Sequence, residues 1–308
     1  MDFLEMCRDA IEISRRAKLP RYKFNKIIFS GMGGSGAGGE VAKDFLSEKI
    51  SVPIEICKNF DLPRYADPKT LIFCVSYSGN TKETLSQFSQ ALKKGCKIIS
   101  ITSDGKLKRK CEKLKIPFIE IPKGLLPREA FPYLFFPPLI YFQKLKLINL
   151  EKELKNLSVL EKVEKSEIKR LAKKLKDAIV FIYAPNHLKG IARRIKNQLN
   201  ENSKLIAKLE ILPELMHNEV ESLYEKREDI KVIFVRDSGR GKINNYFEIL
   251  KELMKDKFEI FEIYSKGKNL SGILYLIYFF DLLSIEIAKE RGIDYRETRN
   301  IDFIKSRI

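Results

Sequence analysis

Short apolar runs alternate with amphipathic stretches along nearly the whole chain. Residues 3–18 carry apolar positions at helical spacing and predict an N-terminal helix. Lys26-Ile27-Ile28-Phe29 is a continuous apolar run opening straight into glycines, the pattern of a strand buried on both faces of a parallel sheet. The pattern predicts a helix from about 38 to 47, strands at 53–57 and 70–75, a helix at 81–94, a strand at 96–101 and a helix at 107–115. Residues 131–150 are unusually aromatic and proline-rich at first. They have rigid points at Pro132, Pro137 and Pro138, and the rest read as buried. Charged helical segments fill 151–176, and the domain boundary is placed there, giving domains 1–150 and 151–308. The pattern then restarts, with strands at 178–183, within 205–211 and at 230–235, a helix at 188–199, a long apolar-rich helix at 271–290 and a short one at 301–308. Both halves run strand, loop, helix and later strand into a Ser-Gly loop, Ser78-Gly79 in one and Ser238-Gly239 in the other, a weak internal repeat. Strands alternating with helices at this spacing are βαβ units, so the fold class is α/β with mainly parallel sheets flanked by helices.

Composition narrows the classes. With 308 residues, 44% hydrophobic and 32% charged, the chain has material for two folded domains and no signature of disorder. The 58 basic residues exceed the 41 acidic ones, for a formal charge of +17. Such an excess steers anions, but the lysines are interleaved with glutamates rather than gathered in a patch, so no nucleic-acid partner is expected. The five cysteines form no CxxC and only two histidines occur, which argues against a disulfide framework and against a multi-histidine or cysteine metal site. Cys74 and Cys96 read as small core residues. The N-terminus lacks a signal-peptide pattern, and the uncharged stretch 269–280 is short for a bilayer. A soluble, cytoplasmic protein without a membrane partner is the expectation.

Two loops carry candidate chemistry. Gly31-Met32-Gly33-Gly34-Ser35-Gly36-Ala37-Gly38-Gly39 lies between a strand and a helix, where backbone approaches an anion closely and the helix N-terminus favours negative charge. Gly31-x-Gly33-x-x-Gly36 matches a dinucleotide pattern, but Glu55 is only loosely placed to hold a ribose, and no Walker lysine follows. The bland alternative is tight helix–sheet packing. Ser76-Tyr77-Ser78-Gly79-Asn80-Thr81-Lys82-Glu83-Thr84 sets four aliphatic hydroxyls, those of Ser76, Ser78, Thr81 and Thr84, around a strand-to-helix turn. Hydroxyls and helix-start amides together suit a phosphate, whereas an ordinary N-cap needs one hydroxyl.

These loops resemble the phosphate sites of the sugar isomerase (SIS) domain family, and the chain as a whole resembles the two-domain bifunctional phosphoglucose/phosphomannose isomerases. The resemblance implies two SIS-type domains, with Gly34, Ser35, Ser76, Ser78, Thr81 and Thr84 holding phosphate. Pro127-Arg128-x-Ala130 resembles the family's arginine segment. Asn200-Glu201-Asn202-x-Lys204 resembles the segment of the catalytic glutamate, and His217-Asn218-Glu219 that of the catalytic histidine. Ile301-Asp302-x-Ile304-Lys305 resembles the C-terminal segment with an active-site lysine, and Thr298 falls where a threonine is expected beside the sugar. By that resemblance Glu201 moves a proton between C1 and C2 through a cis-enediol, His217 assists ring opening, Lys305 polarises an oxygen, Arg128 steadies the enediolate, and Thr298 leaves room for both C2 configurations. From the pattern alone Glu201, Lys305 and Arg128 read as surface charges, and His187 competes evenly with His217. The resemblance further implies hexose 6-phosphate substrates, no metal or other cofactor, and a homodimer with shared sites in which the histidine serves the partner. Phe131 to Tyr141, or the helix at 271–290, is the expected source of the apolar interface.

Three rivals remain. Another sugar-phosphate isomerase of the same superfamily would share the phosphate loops. A non-catalytic sugar-phosphate regulator would need a DNA-binding module, for which residues 1–25 are too short. A nicotinamide-dependent dehydrogenase would use the Gly31–Gly36 pattern. Amide transfer is disfavoured because Asp2 stands where a glutamine-hydrolysing cysteine would follow the initiator.

Overall fold

The computed structural model describes residues 2–237, 241–267 and 269–307. They form two compact units, Met1–Lys155 and Asn156–Ile308. Each is an α/β layer structure built on one fully parallel sheet.

The first unit runs α1 (Phe3–Arg16), β1 (Lys26–Ser30), α2 (Gly33–Leu46), β2 (Ile54–Cys57), β3 (Thr70–Val75), α3 (Lys82–Lys93), β4 (Lys97–Thr102), α4 (Gly105–Leu114), β5 (Phe118–Glu120), α5 (Phe131–Lys144) and α6 (Glu151–Lys155). The strand order is β2-β1-β3-β4-β5. The chain steps outward from β1 to β2, then returns to lay β3 on the other side of β1. That reversal is the topological switch point, and the crevice beyond the C-terminal ends of β1 and β3 is where a sheet of this kind takes its ligand.

Two apolar layers hold the sheet. On one side Phe29 stacks on Phe73 with centroids 5.2 Å apart, and Phe142 of α5 meets Phe73 edge-on at 5.7 Å. Fully burying such a ring contributes roughly 1.5–3 kcal/mol. On the other side Cys57, Cys74, Cys96 and Cys111 join Ile28, Ile72, Phe88 and Ile98 in one cluster, so the cysteines serve as small apolar filler.

The structure corrects one expectation here and completes another. First, α2 begins at Gly33, five residues before the expected start near 38. Glycine is a poor helix former, but packing overrides propensity. A Cβ on Gly39 would lie 2.7 Å from that of Phe29, and one on Gly38 would lie 2.7 Å from the Leu134 carbonyl of α5. The packing reading of the glycine run therefore holds for its second half. Second, 131–144 is a helix. Pro132 stands in its first turn, where no amide donor is needed. Pro138 removes the amide that would bond the Leu134 carbonyl, and Gly38 is the residue facing that carbonyl.

The second unit runs a 3₁₀ turn at Leu157–Lys162, α7 (Lys165–Leu175), β6 (Ile179–Pro185), α8 (Lys189–Glu201), β7 (Ala207–Leu212), β8 (Ile230–Arg236), α9 (Gly241–Met254), β9 (Glu259–Tyr264), α10 (Asn269–Glu290) and α11 (Arg299–Lys305). Its order, β7-β6-β8-β9, repeats the first sheet's scheme one strand shorter, with the switch point between β6 and β8. The Ser238-Gly239 half of the internal repeat lies outside the described residues.

α10 is 22 residues long and apolar enough to cross a membrane by length and composition, but most of it is buried, where it packs on α7 and α8 as a core helix. The expected interface segments are thus interior: Phe131 to Phe142 are buried where α5 packs on α1 and α2, as is one full flank of α10. An apolar stripe left exposed is Tyr246, Ile249 and Leu253 on α9.

Candidate active site

At the switch point of the first sheet two helices begin without side-chain caps. The N-cap position of α2 is Met32, which has no capping group, and that of α3 is Thr81, whose hydroxyl does not cap. Both N-termini follow the strands that flank the reversal, β1 and β3. Uncapped first-turn amides and two helix dipoles at one crevice are features that suit an anion.

The hydroxyls sit around it. Ser76 is fully buried just past β3, and its Oγ lies 2.9 Å from Thr81 Oγ1. That bond takes Thr81 away from capping, so the simple N-cap reading fails for this residue. Ser35 Oγ accepts the Tyr77 amide at 3.0 Å, which ties the glycine loop to the hydroxyl loop. Ser78 is exposed, and its Oγ accepts the Asn80 amide at 3.3 Å. Thr84 is buried one turn into α3, and its hydroxyl has no partner among the described residues. A buried hydroxyl of this kind calls for a ligand or an ordered water.

The loops approach because glycine permits it. Gly34 lies against the next segment so closely that a Cβ would be 2.8 Å from the backbone of Pro127 and Arg128. The structure therefore sets Gly34 against the Arg128 backbone, ties Ser35 through the Tyr77 amide to the turn that carries Ser76, Ser78 and Thr81, and leaves Thr84 at the start of α3. The Arg128 side chain is buried. Two cations at this end of the sheet escaped the sequence. Lys58 follows β2, runs its stem past Gly36 and meets Glu40 at 2.8 Å. Lys123 meets Asp104 at 2.7 Å and holds that carboxyl below its ordinary pKa. Neither has a signal beyond being a lysine near a strand end. Tyr77 also escaped, although it stands in the middle of the motif.

In the second unit Glu201 is the last residue of α8 and half-buried. The following turn is stapled down: Asn202 Nδ2 donates to Ser284 Oγ at 2.9 Å, and Ser203 Oγ donates to the Ser284 carbonyl at 2.7 Å. Lys204 Nζ donates to the carbonyls of both Glu201 and Glu297, so it ties the end of α8 to the residue before Thr298. Thr298 precedes α11, with its hydroxyl 3.0 Å from Asp302 Oδ2, and Lys305 ends that helix, exposed. His217 is exposed in the 3₁₀ turn Glu214–His217 that follows β7. Glu201 and His217 are not brought together in this unit. α8 delivers Glu201 to the end of the sheet where β7 begins, and His217 stands past the end where β7 stops. A six-residue strand puts about 20 Å between those ends. His187 meets Asp237 at 2.8 Å where β6 and β8 end, at the second switch point. Nothing in the local pattern around His187 pointed to this pair. Among the described residues no group of three or more His, Cys, Asp or Glu is placed to hold a metal.

Two parallel sheets of this order, with a hydroxyl- and glycine-lined crevice at the first switch point, define a double SIS-domain protein. The general SIS domain family matches residues 22–118, and the bacterial phospho-glucose isomerase C-terminal SIS domain family matches residues 164–308. A curated bifunctional phosphoglucose/phosphomannose isomerase of Caldicellulosiruptor bescii is 35% identical, covering 99% of this chain and 96% of its own length. One of Thermoplasma volcanium is 32% identical over 98% of this chain and 96% of its own. The chain belongs to the bifunctional phosphoglucose/phosphomannose isomerase family. A D-glucosamine-6-phosphate 4-epimerase of Sulfolobus acidocaldarius is also 32% identical, over 92% of this chain and 89% of its own. Among solved structures, a hypothetical protein of Thermus thermophilus superposes with a TM-score of 0.79 at 16% identity, covering 98% of this chain and 88% of that one, a likeness of fold.

Proposed function

We propose that this chain interconverts glucose 6-phosphate and mannose 6-phosphate with fructose 6-phosphate. The observation that carries the reading is the pair of uncapped helix N-termini, α2 and α3, flanking the Ser76–Thr81 hydroxyl pair at the first switch point. Amides and hydroxyls there grip a dianionic ester without a resident metal. In this reading Gly34, Ser35, Ser76, Ser78, Thr81 and Thr84 take the phosphate.

The chemistry needs no redox partner. His217 and Lys305 pass a proton between the ring oxygen and the C1 hydroxyl, so the ring opens. Glu201 takes the proton from C2 of the aldose. The C–H electron pair forms the C1–C2 double bond as O1 gains a proton, giving the cis-enediol. Loss of the O2 proton and return of a proton to C1 give the ketose. Arg128 stabilises charge on the enediolate oxygens. Thr298 leaves space for the enediol to present either face at C2, which lets one base serve both aldoses.

Family membership and the separation of Glu201 from His217 along β7 support a homodimer in which each site takes its histidine from the partner. The substrates are charged esters that do not cross a bilayer unaided, which supports a cytoplasmic location; cell fractionation tests it.

A coupled assay on both hexose phosphates tests the function, with Glu201→Gln and Thr298→Gln beside the parent chain. Turnover of both sugars is expected, lost in Glu201→Gln with phosphate inhibition retained, and shifted against mannose 6-phosphate in Thr298→Gln. Turnover of glucosamine 6-phosphate with neither hexose phosphate converted would overturn the reading. Equal loss of both activities in Thr298→Gln would remove the spatial role of that residue.

A further inference from the structure

Four loops meet at the C-terminal edge of the first sheet, and one residue bonds to three of them. The Tyr77 amide donates to Ser35 Oγ in the glycine loop. Its carbonyl accepts from Ser103, from the amide at 3.0 Å and the hydroxyl at 2.6 Å, in the turn after β4. Its phenol donates to the Pro122 carbonyl and accepts the Leu125 amide, both at 2.9 Å, in the segment after β5. The ring is buried. Burial also raises the phenol above its ordinary pKa, so it stays a donor at any physiological pH.

The segment Tyr77 pins is the one that delivers Arg128. From Leu125 the chain enters a tight turn in which the amides of Glu129 and Ala130 bond the Leu126 carbonyl and Glu129 Oε2 accepts the Leu126 amide. The backbone of Pro127 and Arg128 is pressed onto Gly34 on one side. The phenol of Tyr77 fixes the approach to it on the other. A side chain that steadies an enediolate is useful only if held to a fraction of an ångström.

We infer that Tyr77 is a positioning residue: its phenolic hydroxyl, bonded to Pro122 and Leu125, sets where Arg128 stands over the glycine loop. The inference rests on the role given to Arg128 above. Tyr77 itself does not touch the sugar. Ser76 and Ser78, on either side of it, belong to the phosphate grip, so the motif joins the ester site and the arginine segment through one ring.

Tyr77→Phe keeps the ring and removes both phenol bonds. The expected result is a kcat lowered by about tenfold to a hundredfold, with KM for fructose 6-phosphate and the inhibition constant of inorganic phosphate within about threefold of the parent. Unchanged phosphate inhibition shows that the variant is folded. A double-mutant cycle with Arg128→Ala separates positioning from mere support: if Tyr77 acts through Arg128, then Tyr77→Phe costs no further kcat once the arginine is gone. Additive losses in the cycle, or a lowered melting temperature with kcat unchanged, would overturn the inference and leave the proposed isomerase intact. Parent kcat in Arg128→Ala alone would remove the arginine's role, and this inference with it.

Discussion

Gly79 shows how tightly single residues fix the crevice. Its φ is +67°, and a Cβ there would fall 1.7 Å from the Asp104 carbonyl oxygen. Gly105, at φ +82°, lies opposite and would put a Cβ 2.2 Å from the Ser78 carbonyl. The two turns interlock only because both residues lack side chains. Gly79→Ala is expected to lower unfolding free energy by at least about 2 kcal/mol and to weaken inhibition by inorganic phosphate. Denaturant titration and a phosphate inhibition series check this; an unchanged midpoint and inhibition constant would refute the interlock. At this scale the hydroxyl cluster was legible because Ser76, Ser78, Thr81 and Thr84 are close in sequence. Tyr77, Lys58 and Lys123 were not. The phenol of Tyr77 bonds 45 and 48 residues along the chain, at Pro122 and Leu125. Lys58 and Lys123 pair with carboxylates on other elements, and no local spacing encodes such a bond.

Elements were readable where one period ruled. β3 is buried at every position and reads as a solid apolar run. α3 and α8 show a clean apolar face. The misses have physical causes. α5 is buried from Phe131 to Phe142, so it has no polar face to reveal a period of 3.6, and its prolines disguise it further. β5 is three residues long, too short for any pattern. β9 is an edge strand carrying Glu259 and Glu262 within its apolar positions, which breaks the run a central strand would show. Because the amino-terminal turns of α2 and α3 do the binding in the proposed site, the five-residue error in the start of α2 matters most. It placed in a loop Gly34 and Ser35, which stand in the first turn of a helix whose amides would serve the proposed phosphate site.

For the whole molecule, the two-unit α/β organisation was legible from the restart of the strand pattern beyond 176, while the surface of the proposed dimer was not. Phe131 to Phe142 is interior and α10 is largely so, since apolar content alone does not distinguish a core from an interface. The placement of Glu201 and His217 at opposite ends of β7 leads to a direct expectation. Glu201→Gln and His217→Ala, each inactive alone, should together recover about a quarter of parent turnover when mixed and allowed to exchange subunits, because half the dimers then hold one intact site of two. No recovery, with exchange verified, would contradict shared sites. Beneath all of these lies the phosphate grip. A crystal structure with fructose 6-phosphate bound tests it most directly: the ester should lie on the first-turn amides of α2 and α3, within hydrogen-bond distance of Ser76, Ser78 or Thr81. A phosphate held elsewhere, with solvent filling that crevice, would contradict it.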